Sequence, residues 1–337
     1  MKRWTVALAS VALVAAGGPG AVAHAEPEPT TGVELNHPLT HAVAVDVTYD
    51  PLEPERIGLP ALKELRARMW DKNPWFVAGQ KYGDTKAPYS GRLQDVAREH
   101  GYGTKEEYVN SVVIDGELNK IALQRAVEET RHGTLTHRRP YNESCHFLGQ
   151  SGGEQQCASA FSASTASGYH GMAENGGTSP DLEAIIVNQW GGRKEYDALN
   201  AAGGQSNAHN GHLHTLIDPA ECYHGFGRAV ALVNGRTVVR TYSQAAYDWS
   251  GRLYQYSPGN YRQYVYRAAD KGERPTGMKT TTPQQDNPRG PSLNAGDGAT
   301  GGSSANSVVA WLSLAVGVVS LIGWIINTGR QQGWISF

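Results

Sequence analysis

Nineteen consecutive residues near the C-terminus, Val308 to Ile326, carry no charge, and this run constrains the chain more than any other feature. As a helix it would measure about 28 Å, close to the thickness of a bilayer's hydrocarbon core. Trp311 and Trp324 sit near its ends, as interfacial aromatics do, and Arg330 is the only charge beyond it. The run predicts a transmembrane helix over 307–327 with a cytoplasmic stub over 328–337. At the other end, Lys2 and Arg3 precede an apolar stretch from Val6 to Ala16, and Ala23-His24-Ala25 places small residues where a signal peptidase reads. That arrangement predicts a cleaved secretory signal over 1–25. Export followed by a stop-transfer helix predicts a single-pass protein of the cell membrane with its bulk outside.

Composition divides what is left. Residues 268–306 are dominated by Pro, Gly, Thr, Ser, Asn and Gln, with Pro275, Pro283, Pro288 and Pro291 spaced along them. Such sequence buries too little apolar surface to offset the entropy of ordering it, so it reads as a disordered stalk. The 242 residues from 26 to 267 suffice for one sizeable domain with an extension. Thirty basic residues against 32 acidic ones give a net charge of −2, which lacks the electrostatic footprint of a nucleic-acid binder and excludes that class.

Helical spacing recurs first. Leu62, Leu65 and Met69 mark a helix over 62–70, and two more are expected over 93–100 and 105–113, the latter capped by Thr104 with Glu106 and Glu107 in its first turn. The strongest runs from Asp115 to Arg131, where Leu118, Ile121, Ala122, Arg125, Ala126 and Glu129 follow the 3.6-residue period. A shorter one covers 181–190. Later, two β-rich runs, 228–233 and 237–242, flank Asn234-Gly235, the signature of a hairpin with a type I′ turn. Helices followed by a hairpin place the domain in the α+β class. The five prolines between Pro29 and Pro60 suggest an extended start to residues 26–104, followed by helices, which read as a helical N-terminal extension.

Cys145, Cys157 and Cys222 fit an exported chain with one disulfide and one remaining thiol. Three pairings are open. Cys145 with Cys157 is favoured because the two flank a Gly-rich loop, and Cys145 with Cys222 is the alternative.

The helix carrying Ile121 to Ala126 leads into Leu135-Thr136-His137-Arg138-Arg139-Pro140. Ala173-Glu174-Asn175, Trp190, Gly211-His212 and Gly225-Phe226-Gly227 follow. This series resembles the CAP superfamily, the cysteine-rich secretory, antigen 5 and pathogenesis-related 1 proteins with an SCP-like extracellular domain, and especially its secreted actinobacterial members. The resemblance covers about residues 105–248 and rests on five motifs in order. It implies an α-β-α sandwich over 105–267 and a cleft lined by two His and two acidic residues. His137, Glu174 and His212 match three of the four. At the fourth place, three residues after Trp190, stands Arg193. Glu195, two positions on, can take that role only if Gly191-Gly192 ends the helix, because two residues turn a helical side chain by about 200°. Asp197 is a further alternative.

Two imidazoles with carboxylates beside them suit a divalent metal, zinc above all, with His137, His212 and Glu174 as ligands and water at the open position. The same groups could act as general acid and base. Because one fold carries many functions, the resemblance alone does not choose. His212 and His214 would share a face of a strand; His209 and His214 read instead as loop residues. Gly149-Gln150-Ser151-Gly152-Gly153 satisfies the nucleophile-elbow pattern but lacks the strand before and the helix after that such a serine needs. The expected function is a membrane-anchored extracellular binding module that holds an envelope lipid, cell-wall material or a divalent metal in the cleft of His137, Glu174, Glu195 and His212. A metal-assisted hydrolase using the same cleft, or an adhesin using its outer face, are the alternatives.

Overall fold

Val43, Val45, Val47 and Tyr49 recur at every second position, the period of a strand with one buried face, and they form β1 (Ala42–Tyr49). In the computed structural model, which describes residues 31–78, 89–131, 135–147, 150–166, 168–246, 260–277, 279 and 284–286, this strand lies inside a seven-stranded sheet. The expected signal over 1–25, the transmembrane helix over 307–327 and the stub over 328–337 lie outside the described residues. Among those residues, no helix is long and apolar enough to cross a membrane.

After β1, a π-helical turn, Pro54–Gly58, enters α1 (Leu59–Lys72), which Asn73 ends in the left-handed conformation at φ 44°. β2 (Trp75–Val77) and β3 (Ser90–Arg92) form a small antiparallel pair ahead of α2 (Leu93–Glu99). Thr104 and Glu107 close a capping box on α3 (Lys105–Asn110), so the Thr104 signal in the sequence is realised. β4 (Val113–Ile114) precedes α4 (Gly116–Glu128), whose first N–H groups are accepted by the Asp115 carboxylate. β5 (His146–Phe147), β6 (Gln150–Ser151) and α5 (Glu154–Cys157) form the disulfide loop. β7 (Ala173–Gly177) is followed by α6 (Leu182–Ala184), which continues as a π-helix to Trp190. Then come α7 (Arg193–Ala201), α8 (Gly211–Ile217), β8 (Tyr223–Val233), β9 (Arg236–Ala246), β10 (Asn260–Ala268) and β11 (Gln284–Asp286).

The main sheet runs β11-β10-β1-β8-β9-β7, antiparallel throughout, with β4 alone pairing parallel to β8. The chain is therefore a mixed α+β fold. Asn234 and Gly235 both take positive φ, 51° and 75°, which a type I′ turn requires and which asparagine tolerates and glycine, lacking a Cβ, adopts without strain. Ala122, Ala126 and Val127 of α4 pack on one face of the sheet, against Val47, Ala229, Ala231, Tyr242 and Val265. Gly225 and Gly227 make that approach feasible: a Cβ at either would fall 2.2 or 2.1 Å from the α4 backbone. On the other face, Phe226 joins a core built from α1, the π-helix and α8, with Leu62, Leu65, Ile185, Trp190 and Leu213 among its members.

Two boundaries drawn from the sequence differ from the structure. The described residues of the expected extension over 26–104 are not an appendage, because β1 sits between β10 and β8 and α1 belongs to the main core. The prolines on either side of β1 signal irregular chain, whereas the alternating valines between them form the strand. The boundary of the stalk expected from residue 268 also fails, because described residues beyond it are tied to the sheet. Arg267 is paired with Glu273, the Ala44 N–H donates to Thr276 Oγ1 at 2.8 Å, and β11 pairs with β10. A threonine hydroxyl and a backbone ladder satisfy a sheet edge whatever the hydropathy of the chain, so composition does not separate this stretch from disordered chain.

Candidate functional site

β7 forms the sheet edge opposite β11, and Glu174 and Asn175, neighbours on it, each reach toward a histidine. His137 stands in the loop after α4 with its side chain 60% exposed, and its Nδ1 donates to Glu174 Oε1 at 2.9 Å. Glu174 itself is buried. Arg125 from α4 grips it as a fork, Nε to Oε2 at 2.9 Å and Nη2 to Oε1 at 3.2 Å, and the Gln244 amide donates to Oε2 at 2.7 Å. Burial works against this carboxylate's charge, but Arg125 and the His137 hydrogen bond outweigh it and hold the group below the usual carboxylate range.

Arg125 is one rung of a ladder of buried charge. Its Nη1 donates to Glu128 at 2.7 Å, and Glu128 also accepts from Arg139 at 2.7 Å. Burial opposes the Glu128 charge as well, yet Arg139 and Arg125 pull its pKa down to about 2. The His137 loop is tied to the same helix end. The Thr136 N–H donates to Glu129 at 2.9 Å, the Tyr242 hydroxyl donates to the Thr136 carbonyl at 2.8 Å, and Arg131 Nη2 donates to the Arg138 carbonyl at 2.9 Å.

The second pair is assembled differently. Gly191-Gly192 does end the helix. The π-helix stops at Trp190 and α7 starts at Arg193, and a Cβ on Gly192 would fall 2.1 Å from the Asn188 carbonyl oxygen. The break re-aims the chain, so Glu195, in the first turn of α7, accepts from His212 Nδ1 at 2.6 Å and from the Leu213 N–H at 3.2 Å. Trp190 stacks on the His212 ring at 5.9 Å, and Asn175 Nδ2 donates to the His212 carbonyl at 3.4 Å. Arg193 and Asp197 pair with each other on the surface, with 92% of the Arg193 side chain exposed.

His212 and His214 lie on a helix, α8, and not on a strand, so they point in different directions. His214, expected in a loop, is buried: it bonds to the Val77 carbonyl at 2.8 Å and stacks on Phe76. His209 is exposed in a turn, as expected. Ser151 lies exposed on the two-residue strand β6 of the small β5-β6 pair, ahead of the single turn of α5, and is not on the main sheet. Cys145 and Cys157 form the disulfide, and Cys222 stays a thiol beside the Tyr102 hydroxyl. Sequence reasoning does not reach Arg125, Gln244 and Tyr242 as parts of the site. Only Arg125 leaves a signal, as a charge among the apolar positions of α4 that follow the helical period, with acidic partners three and four residues on.

The arrangement offers two imidazoles whose Nδ1 atoms are engaged by carboxylates. Among the described residues, no group of three or more His, Cys, Asp or Glu side chains is placed to hold a metal ion. The two oxygens of Glu174 already accept four hydrogen bonds, which is their full complement of lone pairs. Neither a scan against protein-family models nor searches of curated proteins and of solved structures returns a match to this chain.

Proposed function

We propose that the chain is a membrane-anchored, extracellular binding module of the CAP type. In this reading, an α-β-α sandwich carries a cleft formed by His137, Glu174, Glu195 and His212, and the ligand is an envelope lipid or cell-wall component. The observation that carries the reading is the shared wiring of the two histidines. Each donates Nδ1–H to a carboxylate, which leaves Nε2 as the nitrogen a ligand can meet. A pair of oriented imidazoles at a sheet edge, beside an indole stacked on one of them, suits recognition of a polar group on an otherwise apolar molecule.

Zinc is the ion that the resemblance implies. The carboxylate–imidazole wiring is that of metal-ligating histidines, but two imidazole nitrogens fall one short of the three protein ligands of an open zinc site, and Glu174 has no acceptor left to contribute. His137, His212 and Glu174 by themselves do not fit a resident zinc ion, and ligand binding through the two Nε2 atoms requires none.

The test uses the full chain in detergent beside a His137→Ala, His212→Ala double variant, both exposed to an envelope lipid and cell-wall extract. Retention of a component by the parent and its loss in the variant is the expected result. Equal retention by both would move binding to the outer face, as for an adhesin. Turnover of the retained component by the parent alone would make the cleft that of a hydrolase.

A further inference from the structure

We propose that Arg125 is the positioning residue of the first pair: it fixes the Glu174 carboxylate so that His137 is held as the Nδ1–H tautomer, with Nε2 open to a ligand. The inference deepens the binding-cleft reading and rests on it only for the word ligand.

His137 is an exposed side chain on a loop, and such an imidazole has no reason of its own to prefer one tautomer or one ring orientation. Its Nδ1 nevertheless faces a carboxylate that has no freedom to turn. The Arg125 fork occupies one acceptor site on each oxygen of Glu174, a planar match that a single ammonium cannot reproduce. With Gln244 on Oε2, the remaining acceptor site on Oε1 is the one that His137 meets. Rotation of the carboxylate would break several charge-assisted bonds to make none.

Arg125 is equally constrained. Its third nitrogen is bonded to Glu128, its guanidinium lies 5.3 Å from the centre of the Tyr242 ring, and α4 is seated on the sheet by Gly225 and Gly227. Arg125 also donates to the Thr136 and Arg138 carbonyls at 3.4 Å, on either side of His137. One side chain thus holds both the acceptor of the imidazole proton and the backbone that carries the imidazole. Glu195 is held in another way, since besides the imidazole it accepts from a backbone N–H, that of Leu213.

The experiment labels histidine with ¹⁵N in the full chain in detergent and reads the long-range ¹H–¹⁵N pattern of each imidazole at a pH of about 8.5, where an ordinary histidine is neutral. In the parent, His137 is expected as the Nδ1–H tautomer. Arg125→Lys is expected to convert it to a mixture or to Nε2–H, while Gln244→Met, which leaves the fork in place, retains Nδ1–H. The buried His214, bonded to the Val77 carbonyl, reports that each variant is folded. An Nε2–H His137 in the parent, an unchanged Nδ1–H in folded Arg125→Lys, or its loss in Gln244→Met would each overturn the proposal. Should Arg125→Lys fail to fold, Gln244→Met still decides, because retention of Nδ1–H leaves the fork as the clamp and its loss assigns the role to Gln244. None of these signals needs a ligand. A parent that binds nothing but shows the expected tautomers would remove the binding reading and leave this one standing.

Discussion

His137 and His212 each donate Nδ1–H to a carboxylate, at 2.9 and 2.6 Å, yet the two carboxylates reach their places by different routes. Glu174 is set into a ladder of buried charges that runs along α4 and into the loop holding Arg139. Glu195 stands at the start of a helix, placed by a two-glycine break and bonded to the first turn of α8. The first pair is an outgrowth of the domain core, and the second is a junction between two helix ends. Damage behind the first should therefore unfold the domain, whereas damage to the second should stay local.

Replacing Glu128 tests the first half most severely. Glu128→Gln leaves Arg125 and Arg139 buried without their shared counter-charge, and a loss of about 3–5 kcal/mol in denaturant unfolding is expected. The pH profile of the same variant carries a second signature. The folded pKa of Glu128 is about 2 against an ordinary 4.5, so the folded state binds this proton less readily than the unfolded chain. The group contributes stability that is present above pH 4.5 and lost as the pH falls toward 2. Glu128→Gln should flatten that limb; an unchanged slope would mean that the ladder does not carry it.

Gly227→Ala attacks the same side of the comparison through packing. Its Cβ would meet the backbone of Leu123 and Ala122, and a loss of about 1–3 kcal/mol is expected from lifting α4 off the sheet. Glu195→Ala addresses the other pair. It removes the partner of His212 and the acceptor of the Leu213 N–H, for about 1–2 kcal/mol, and local hydrogen exchange should rise in α8 but not in α4. His137→Ala should cost least, within about 0.5 kcal/mol by thermal or chemical melting, because the ring is mostly exposed, while removing the Nε2 acceptor on which the proposed ligand depends.

What is legible in the sequence follows the same division. Local signals can be read: the Thr104 capping box, the Asp115 cap, the Asn234-Gly235 turn and the helical periods of α1 and α4 are set by neighbours a few residues apart. His137, Glu174 and His212 can be named as candidates, and Glu195 can be made conditional on a helix break that the structure contains. What cannot be read depends on long-range placement. β1 belongs to the middle of the sheet because β8 and β10, both far downstream in the chain, come to lie on either side of it. The roles of Arg125, Gln244 and Tyr242 require α4, β7 and β9 to be brought together first. His214 escapes a strand or loop reading because a two-residue spacing does not reveal the helix that turns it into the core.

The pairing of β11 with β10 has a mechanical consequence. β11 ends at Asp286 on one edge of the sheet, while the two histidines gather at the other, five inter-strand spacings or about 24 Å away. A pull transmitted along the chain from that side is taken up first by the three residue pairs between β10 and β11, and the load reaches β7 only after crossing every strand between.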